Sequence, residues 1–219
     1  IFLSGSVLAY FVGKLLMGED PSPSALLVIF MALGAGLVGF IDDYMKTRKQ
    51  NSAGLGGWAK IVGQIVIAVT FALLGLQFAN ENGVTPASTQ ISIFRDLPVD
   101  FMPLGTVAGV LVFVVWVMII TTATTNAVNV TDGLDGLATG AAIFAFGAYF
   151  IIGFWKSAQN CAATAGELGC YIVRDPMDLA VISVAFLGGL SIVLTWKTNL
   201  QRIYICDTRP IGNECRFPG

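Results

Sequence analysis

Val107-Ala108-Gly109-Val110-Leu111-Val112-Phe113-Val114-Val115-Trp116 is the stretch whose reading decides the fold. In water its β-branched content would suggest a strand. It lies, however, inside a longer apolar stretch, residues 103–124, of the roughly 20-residue length that a membrane-spanning helix needs. In hydrocarbon every backbone N–H and C=O must find a partner within the protein, which leaves helices and closed barrels. No alternating barrel pattern is present. The run therefore reads as a transmembrane helix. Five further stretches read the same way: residues 1–17, 24–41, 61–79, 137–155 and 178–196. The first is short and carries Lys14 near its end, and the second runs from Ser24 to Ile41 without a charge. The expected fold is all-α, a polytopic integral membrane protein of about six spans forming one membrane domain over residues 1–219.

Composition agrees. Of 219 residues, 55% are hydrophobic and 12% charged, about half the ~25% charge of a soluble domain. Mean hydropathy is +0.77. A disordered chain and a soluble globule are both excluded by these values. The net charge of −2 offers no lure for nucleic acid, and none is expected as a partner. There is no histidine, so His-ligated zinc and a Ser-His-Asp triad are excluded. Many of the 25 glycines fall inside spans, among them Gly34, Gly36, Gly39, Gly188 and Gly189, where small residues allow close helix packing.

Lysine and arginine set the orientation. Lys46, Arg48, Lys49 and Lys60 follow the second span, and Lys197, Arg202, Arg209 and Arg216 follow the sixth. Residues 44–60 and the tail are thus expected in the cytoplasm, and 80–102 and 156–177 outside. By alternation the connection 123–136, which has no Lys or Arg, is a cytoplasmic loop. Cys161 and Cys170 share an external loop where a disulfide could persist. Spacing alone leaves both the bridge and two unpaired thiols open.

Carboxylates at the membrane boundary need a reason, because a charge costs roughly 2.5–3.5 kcal/mol in the span centre. Asp42 and Asp43 close the second span in FIDDYMK, and Asp132 and Asp135 sit in NAVNVTDGLDGLA between the fourth and fifth. Asp132 and Asp135 are three apart and share a face if the fifth helix begins there. Asn126 and Asn129 repeat the spacing. A lone Asp here would read as a solvated helix end that complements the dipole. Two clusters on one face, with Asn and Gly around them, point to a site. Asn129-Val130-Thr131 also fits a glycosylation acceptor, but its expected cytoplasmic side argues against that use. Clustered hard oxygen ligands suit Mg2+ with substrate phosphates in its open positions. Lys46, Lys49 and Lys60 nearby suit a diphosphate. Gly133 and Gly136 permit close backbone approach.

At these residues the sequence resembles the phospho-N-acetylmuramoyl-pentapeptide transferase (MraY) family, within the polyprenyl-phosphate N-acetylhexosamine-1-phosphate transferases. DDYMKTRKQNSAGLGGWAK, Asp42 to Lys60, is similar to that family's first cytoplasmic segment, and NAVNVTDGLDGLA, Asn126 to Ala138, to its signature string. The resemblance covers residues 1–208 and would correspond to the second to seventh spans of a ten-span fold. It implies a bacterial inner-membrane enzyme, with its active site facing the cytoplasm. The reaction implied transfers phospho-MurNAc-pentapeptide from UDP-MurNAc-pentapeptide to undecaprenyl phosphate in peptidoglycan synthesis, giving lipid I and UMP. Mg2+ would be the cofactor, and a homodimer would be the family's habit. The resemblance makes Asp42, Asp43, Asp132 and Asp207 catalytic, with Asp207 on the metal. It makes Lys46, Lys60, Asn126, Asn129 and Asp135 substrate-binding, Asp135 near the uridine. One of Asp42 and Asp43 would deprotonate the lipid phosphate or attack directly.

The third acidic motif departs from the family's pattern. WKTNLQRIYICDTRP, Trp196 to Pro210, aligns Asp207 with the metal-binding Asp. Cys206 replaces a glycine there, Arg209-Pro210 replace Gly-Ser, Leu200 a proline, and Lys197 an asparagine implied in uracil recognition. Residues 197–219 thus read as a divergent cytoplasmic tail, and the chain as the family fold truncated at both ends and not expected to turn over substrate alone. Two other enzymatic or transport readings stand beside this one: a sister transferase using UDP-N-acetylglucosamine, and an ion-coupled transporter with intramembrane carboxylates. A non-catalytic membrane scaffold is the third.

Overall fold

The computed structural model describes residues 2–49, 56–80, 83–92, 96–101, 105–131, 136–161 and 174–207. Six helices carry the fold: α1 (Phe2–Met17), α2 (Pro23–Lys49), α3 (Gly57–Gly75), α4 (Thr106–Thr131), α5 (Leu137–Ala158) and α6 (Pro176–Asp207). All six expected spans are helices. Five of them are long and apolar enough to cross a membrane, and α1 is a shorter apolar helix. The Val107–Trp116 run lies wholly within α4. Its side chains leave Val107 and Val115 exposed, as a surface facing lipid tails requires. Between α3 and α4 stands a small antiparallel hairpin that the sequence reading did not anticipate, β1 (Gln90–Ser92) and β2 (Asp96–Asp100). It pairs Gln90 with Asp100 and Ser92 with Asp96.

Three helices run further than expected because a polar stretch stays helical, and α3 spans Gly57–Gly75 where 61–79 was expected. α2 continues past Asp42 and Asp43 to Lys49, so the pair sits within the helix and does not close it. At 1.5 Å per residue α2 is about 40 Å long, more than the ~30 Å hydrocarbon core, and its last turns can stand in water. α4 continues through Asn126 and Asn129 to Thr131, so both asparagines are helical and not in a 123–136 loop. α5 then begins at Leu137, after Asp132 and Asp135. The residue before it, Gly136, has φ of +82°, a left-handed conformation that a side chain would strain. Finally, α6 runs through Lys197 to Asp207, so the first half of the expected tail is helix.

α6 packs between α1 and α5, while α3 packs between α2 and α4. The buried core of the first group, with α2 leaning on it, is Tyr10, Ala25, Ile29, Ile182 and Phe186. Small residues set the spacing in both groups. A Cβ on Gly153 of α5 would lie 3.1 Å from the Ala180 Cβ and 3.1 Å from the Pro176 carbonyl oxygen of α6. A Cβ on Gly34 of α2 would lie 3.0 Å from Ile67 of α3, and one on Gly63 of α3 would lie 3.0 Å from Val38 of α2. These last contacts define an antiparallel seam: Gly34 meets Ile67, Val38 meets Gly63, and the next step brings Asp42 to Lys60.

One end of the bundle is closed by polar groups. α1 stops at Gly18, whose φ of +67° lets the Glu19 N–H reach back to the Lys14 carbonyl at 3.2 Å. α2 starts on Pro23, a residue suited to a first helical turn, and Ser22 caps it by accepting the Ala25 N–H at 3.3 Å. α6 also starts on a proline, Pro176. These three helix ends surround Asp178. Its carboxylate pairs with the Lys14 ammonium and accepts from the Tyr10 hydroxyl at 2.9 Å and the Ser22 N–H at 3.0 Å. Lys14, at a helix C-terminus, and Asp178, at an N-terminus, each carry the charge that their helix dipole favours. Around them Glu19 pairs with Lys14 at 2.9 Å, and the Ser24 hydroxyl donates to Asp175 at 2.8 Å. Arg174 donates to the Val84 carbonyl at 3.0 Å, tying in the segment after α3. Nearby in sequence, Cys161 is disulfide-bonded. Cys170 lies outside the described residues.

Candidate functional site

At the opposite end the seam between α2 and α3 delivers charges instead of apolar contacts. Asp42 is buried. Lys46, one turn later on α2, places its Nζ 2.7 Å from Asp42 Oδ2, and Lys60 on α3 places its Nζ 4.0 Å from the same oxygen. Asp43 is the opposite of its neighbour. Its side chain is 79% exposed against 7% for Asp42, and its one described ion pair is a loose 3.5 Å contact with Lys46. A step of one residue turns the side chain by about 100° around a helix. Adjacent carboxylates on one helix therefore face a neighbour and open space in turn. The sequence reading grouped Asp42 and Asp43 as one pair; the structure separates them.

A second polar link crosses from α3 to α4. Gln64, four residues after Lys60 and so on the same face of α3, is 4% exposed. Its Oε1 accepts from Asn126 Nδ2 at 3.4 Å, and the same Nδ2 donates to the Thr122 carbonyl at 2.8 Å. Three helices thus contribute to one polar band: Asp42, Asp43 and Lys46 from α2, Lys60 and Gln64 from α3, and Asn126 from α4. Gln64 was not singled out in the sequence, although an amide four residues after a site lysine in an otherwise apolar span was a readable signal.

The remaining expected residues divide. Asn129 lies on α4 one turn beyond Asn126, and Asp207 is the last residue of α6. Asp132, Asp135 and Gly133 lie outside the described residues. Among the described residues no group of three His, Cys, Asp or Glu side chains gathers to hold a metal ion. The chemistry that the band can offer is fixed cationic charge from two helices beside one exposed carboxylate. That is a setting for an anionic, phosphate-bearing ligand.

Comparison with known proteins decides the family. Residues 25–210 match the model of glycosyl transferase family 4. The chain belongs to that family. Three relatives of this transferase chain share the name phospho-N-acetylmuramoyl-pentapeptide-transferase. The protein of Clavibacter michiganensis subsp. michiganensis (strain NCPPB 382) is 51% identical over 97% of this chain and 60% of its own length. That of Clavibacter sepedonicus is 49% identical over the same shares. That of Beutenbergia cavernae is 43% identical over 95% of this chain and 58% of its own length. The chain therefore spans about 60% of the length of these curated relatives. With its apolar helices, this member of glycosyl transferase family 4 is a multi-pass membrane protein. The matched residues include the whole band from Asp42 to Asn126 and extend to Asp207.

Proposed function

We propose that the full-length protein transfers phospho-N-acetylmuramoyl-pentapeptide, the group that its relatives' names give, from UDP-MurNAc-pentapeptide to undecaprenyl phosphate. An oxygen of the lipid phosphate bonds to the phosphorus attached to the sugar. The bond from that phosphorus to the UMP oxygen breaks, giving lipid I and UMP. The observation that carries the reading is the split of Asp42 from Asp43. Buried Asp42 holds Lys46 and Lys60 at fixed positions, and two held cations suit the diphosphate. Exposed Asp43 is the carboxylate of the pair open to a substrate. It is the one we assign to the acceptor phosphate, either taking its proton or attacking the phosphorus first, with UMP leaving, so that the lipid phosphate then displaces the carboxylate to give lipid I.

The donors in this chain fit Mg2+, because aspartate oxygens are hard ligands and no histidine competes. Asp207 is the residue that we assign to hold the ion, and Asp132 is assigned a catalytic role. When bound, Mg2+ would neutralise charge developing on the leaving UMP. Asn126, Asn129 and Asp135 would bind the nucleotide part. The site would face the cytoplasm of a bacterial inner membrane, since Lys46, Arg48, Lys49 and Lys60 lie at this end.

The sister reading differs in the sugar nucleotide alone. Product analysis in proteoliposomes with undecaprenyl phosphate separates the two. Lipid-linked product from UDP-MurNAc-pentapeptide, and none from UDP-N-acetylglucosamine, is the expected result. The reverse preference would assign the protein to the sister activity.

A further inference from the structure

Asn126 has a carboxamide with a donor end and an acceptor end, and a substrate would meet one or the other. The structure decides which. The Thr122 carbonyl, 2.8 Å from Nδ2, has no hydrogen to donate, so the amide nitrogen must face it. Gln64 Oε1 stands 3.4 Å from the same nitrogen, which gives the second amide hydrogen an acceptor. Gln64 is itself buried between α3 and α4 and is held on the rigid face that also carries Lys60. Both donors of Asn126 are thus tied back into the bundle, one by its own helix and one by α3.

We propose that Gln64 is a positioning residue that fixes the Asn126 amide so that its carbonyl oxygen, and not its NH2, is presented to the nucleotide-sugar substrate. The group recognised there is then a hydrogen-bond donor, a hydroxyl or an imide N–H. The proposal rests on the transferase reading above and adds the sense of one contact to it. Without Gln64, the Thr122 carbonyl alone holds the amide, the second amide hydrogen loses its acceptor on α3, and the amide is held less firmly in that orientation.

A double-mutant cycle on the full-length protein in proteoliposomes tests this, reading KM for UDP-MurNAc-pentapeptide and kcat separately. Gln64→Met keeps the length and removes the acceptor. It is expected to raise KM about three- to tenfold with kcat changed by less than about twofold, the scale of one uncharged hydrogen bond. In an Asn126→Ala background the same substitution is expected to change KM by less than about 1.5-fold, because the amide it positions is gone. An equal rise in KM in both backgrounds would mean that Gln64 acts by packing alone and would overturn the proposal. So would an unchanged KM in the single variant while Asn126→Ala raises it. If the wild-type protein turns over no nucleotide sugar, the transferase reading itself fails, and this proposal with it. Should Gln64→Met not fold, Gln64→Glu, which keeps an acceptor oxygen, decides: KM within about twofold of wild type supports the proposal, and a larger rise overturns it.

Discussion

The two ends of the bundle use the same residue types to opposite effect. At the Asp178 end lysine and aspartate are both under one-tenth exposed, and the carboxylate is filled by Lys14, Tyr10 and the Ser22 N–H. At the Asp42 end the buried aspartate holds lysines that are 40% and 17% exposed, with an exposed carboxylate beside them that meets Lys46 at 3.5 Å. The first arrangement has no capacity left for a ligand and joins three helix ends. The second keeps charge in reach of one. Burial of an aspartate is thus no mark of a site; what sets the Asp42 end apart is that its lysines stay partly exposed, within reach of a ligand.

Four substitutions sharpen or break this contrast. Asp43→Asn carries the largest expected effect. Loss of a positioned acid or base group costs about 10²–10⁴-fold in turnover. The thermal unfolding midpoint in detergent should stay put, since an exposed substitution is worth within about 0.5 kcal/mol. A large drop in that midpoint would make Asp43 structural. Lys14→Met comes next. It strands the buried Asp178 carboxylate and should destabilise the protein by about 3–5 kcal/mol, read as a lowered unfolding midpoint. If the midpoint is unchanged, the closed end is not the lock described here. Gly153→Ala also strikes the closed end. Its new methyl would press on backbone atoms of α6 that cannot swing aside, at a cost of about 1–3 kcal/mol. A neutral result would show that α5 and α6 can part. Of the three variants that disturb packing or an ion pair, Lys46→Met should lower the unfolding midpoint least, although it breaks two ion pairs. Its side chain is half in solvent, and Lys60 still faces Asp42. A loss as large as that of Lys14→Met would erase the distinction between the ends.

The helices were legible because lipid leaves the backbone so few options. Even the valine-rich run of α4, a strand by propensity, had to be helical. What the sequence reading misplaced were polar extensions: the last turns of α2, Asn126 to Thr131 on α4, and Lys197 to Asp207 on α6. An apolar-length rule stops where the hydrocarbon does, whereas a helix continues for as long as its own hydrogen bonds are met. Motif resemblance grouped Asp42, Lys46, Lys60 and Asn126; the structure places the first three together and bonds Asn126 to Gln64 on α3. The resemblance was blind to the difference between Asp42 and Asp43, which depends on the α2–α3 seam set by Gly34 and Gly63. It also passed over Gln64. The Lys14–Asp178 network was not foreseen, because its partners stand 164 residues apart in sequence and meet through the fold alone.

The central claim is that transfer chemistry lives at the Asp42 end and that the Asp178 end only holds the helices. The most direct measurement compares lipid I formation in proteoliposomes for Asp43→Asn and for the double variant Lys14→Met, Asp178→Leu, which replaces the buried pair by apolar side chains. The account predicts turnover reduced at least about 10²-fold in the first and kept within about threefold in the second, because an apolar replacement of a buried pair is often neutral. Turnover retained by Asp43→Asn and lost in a folded double variant would contradict it.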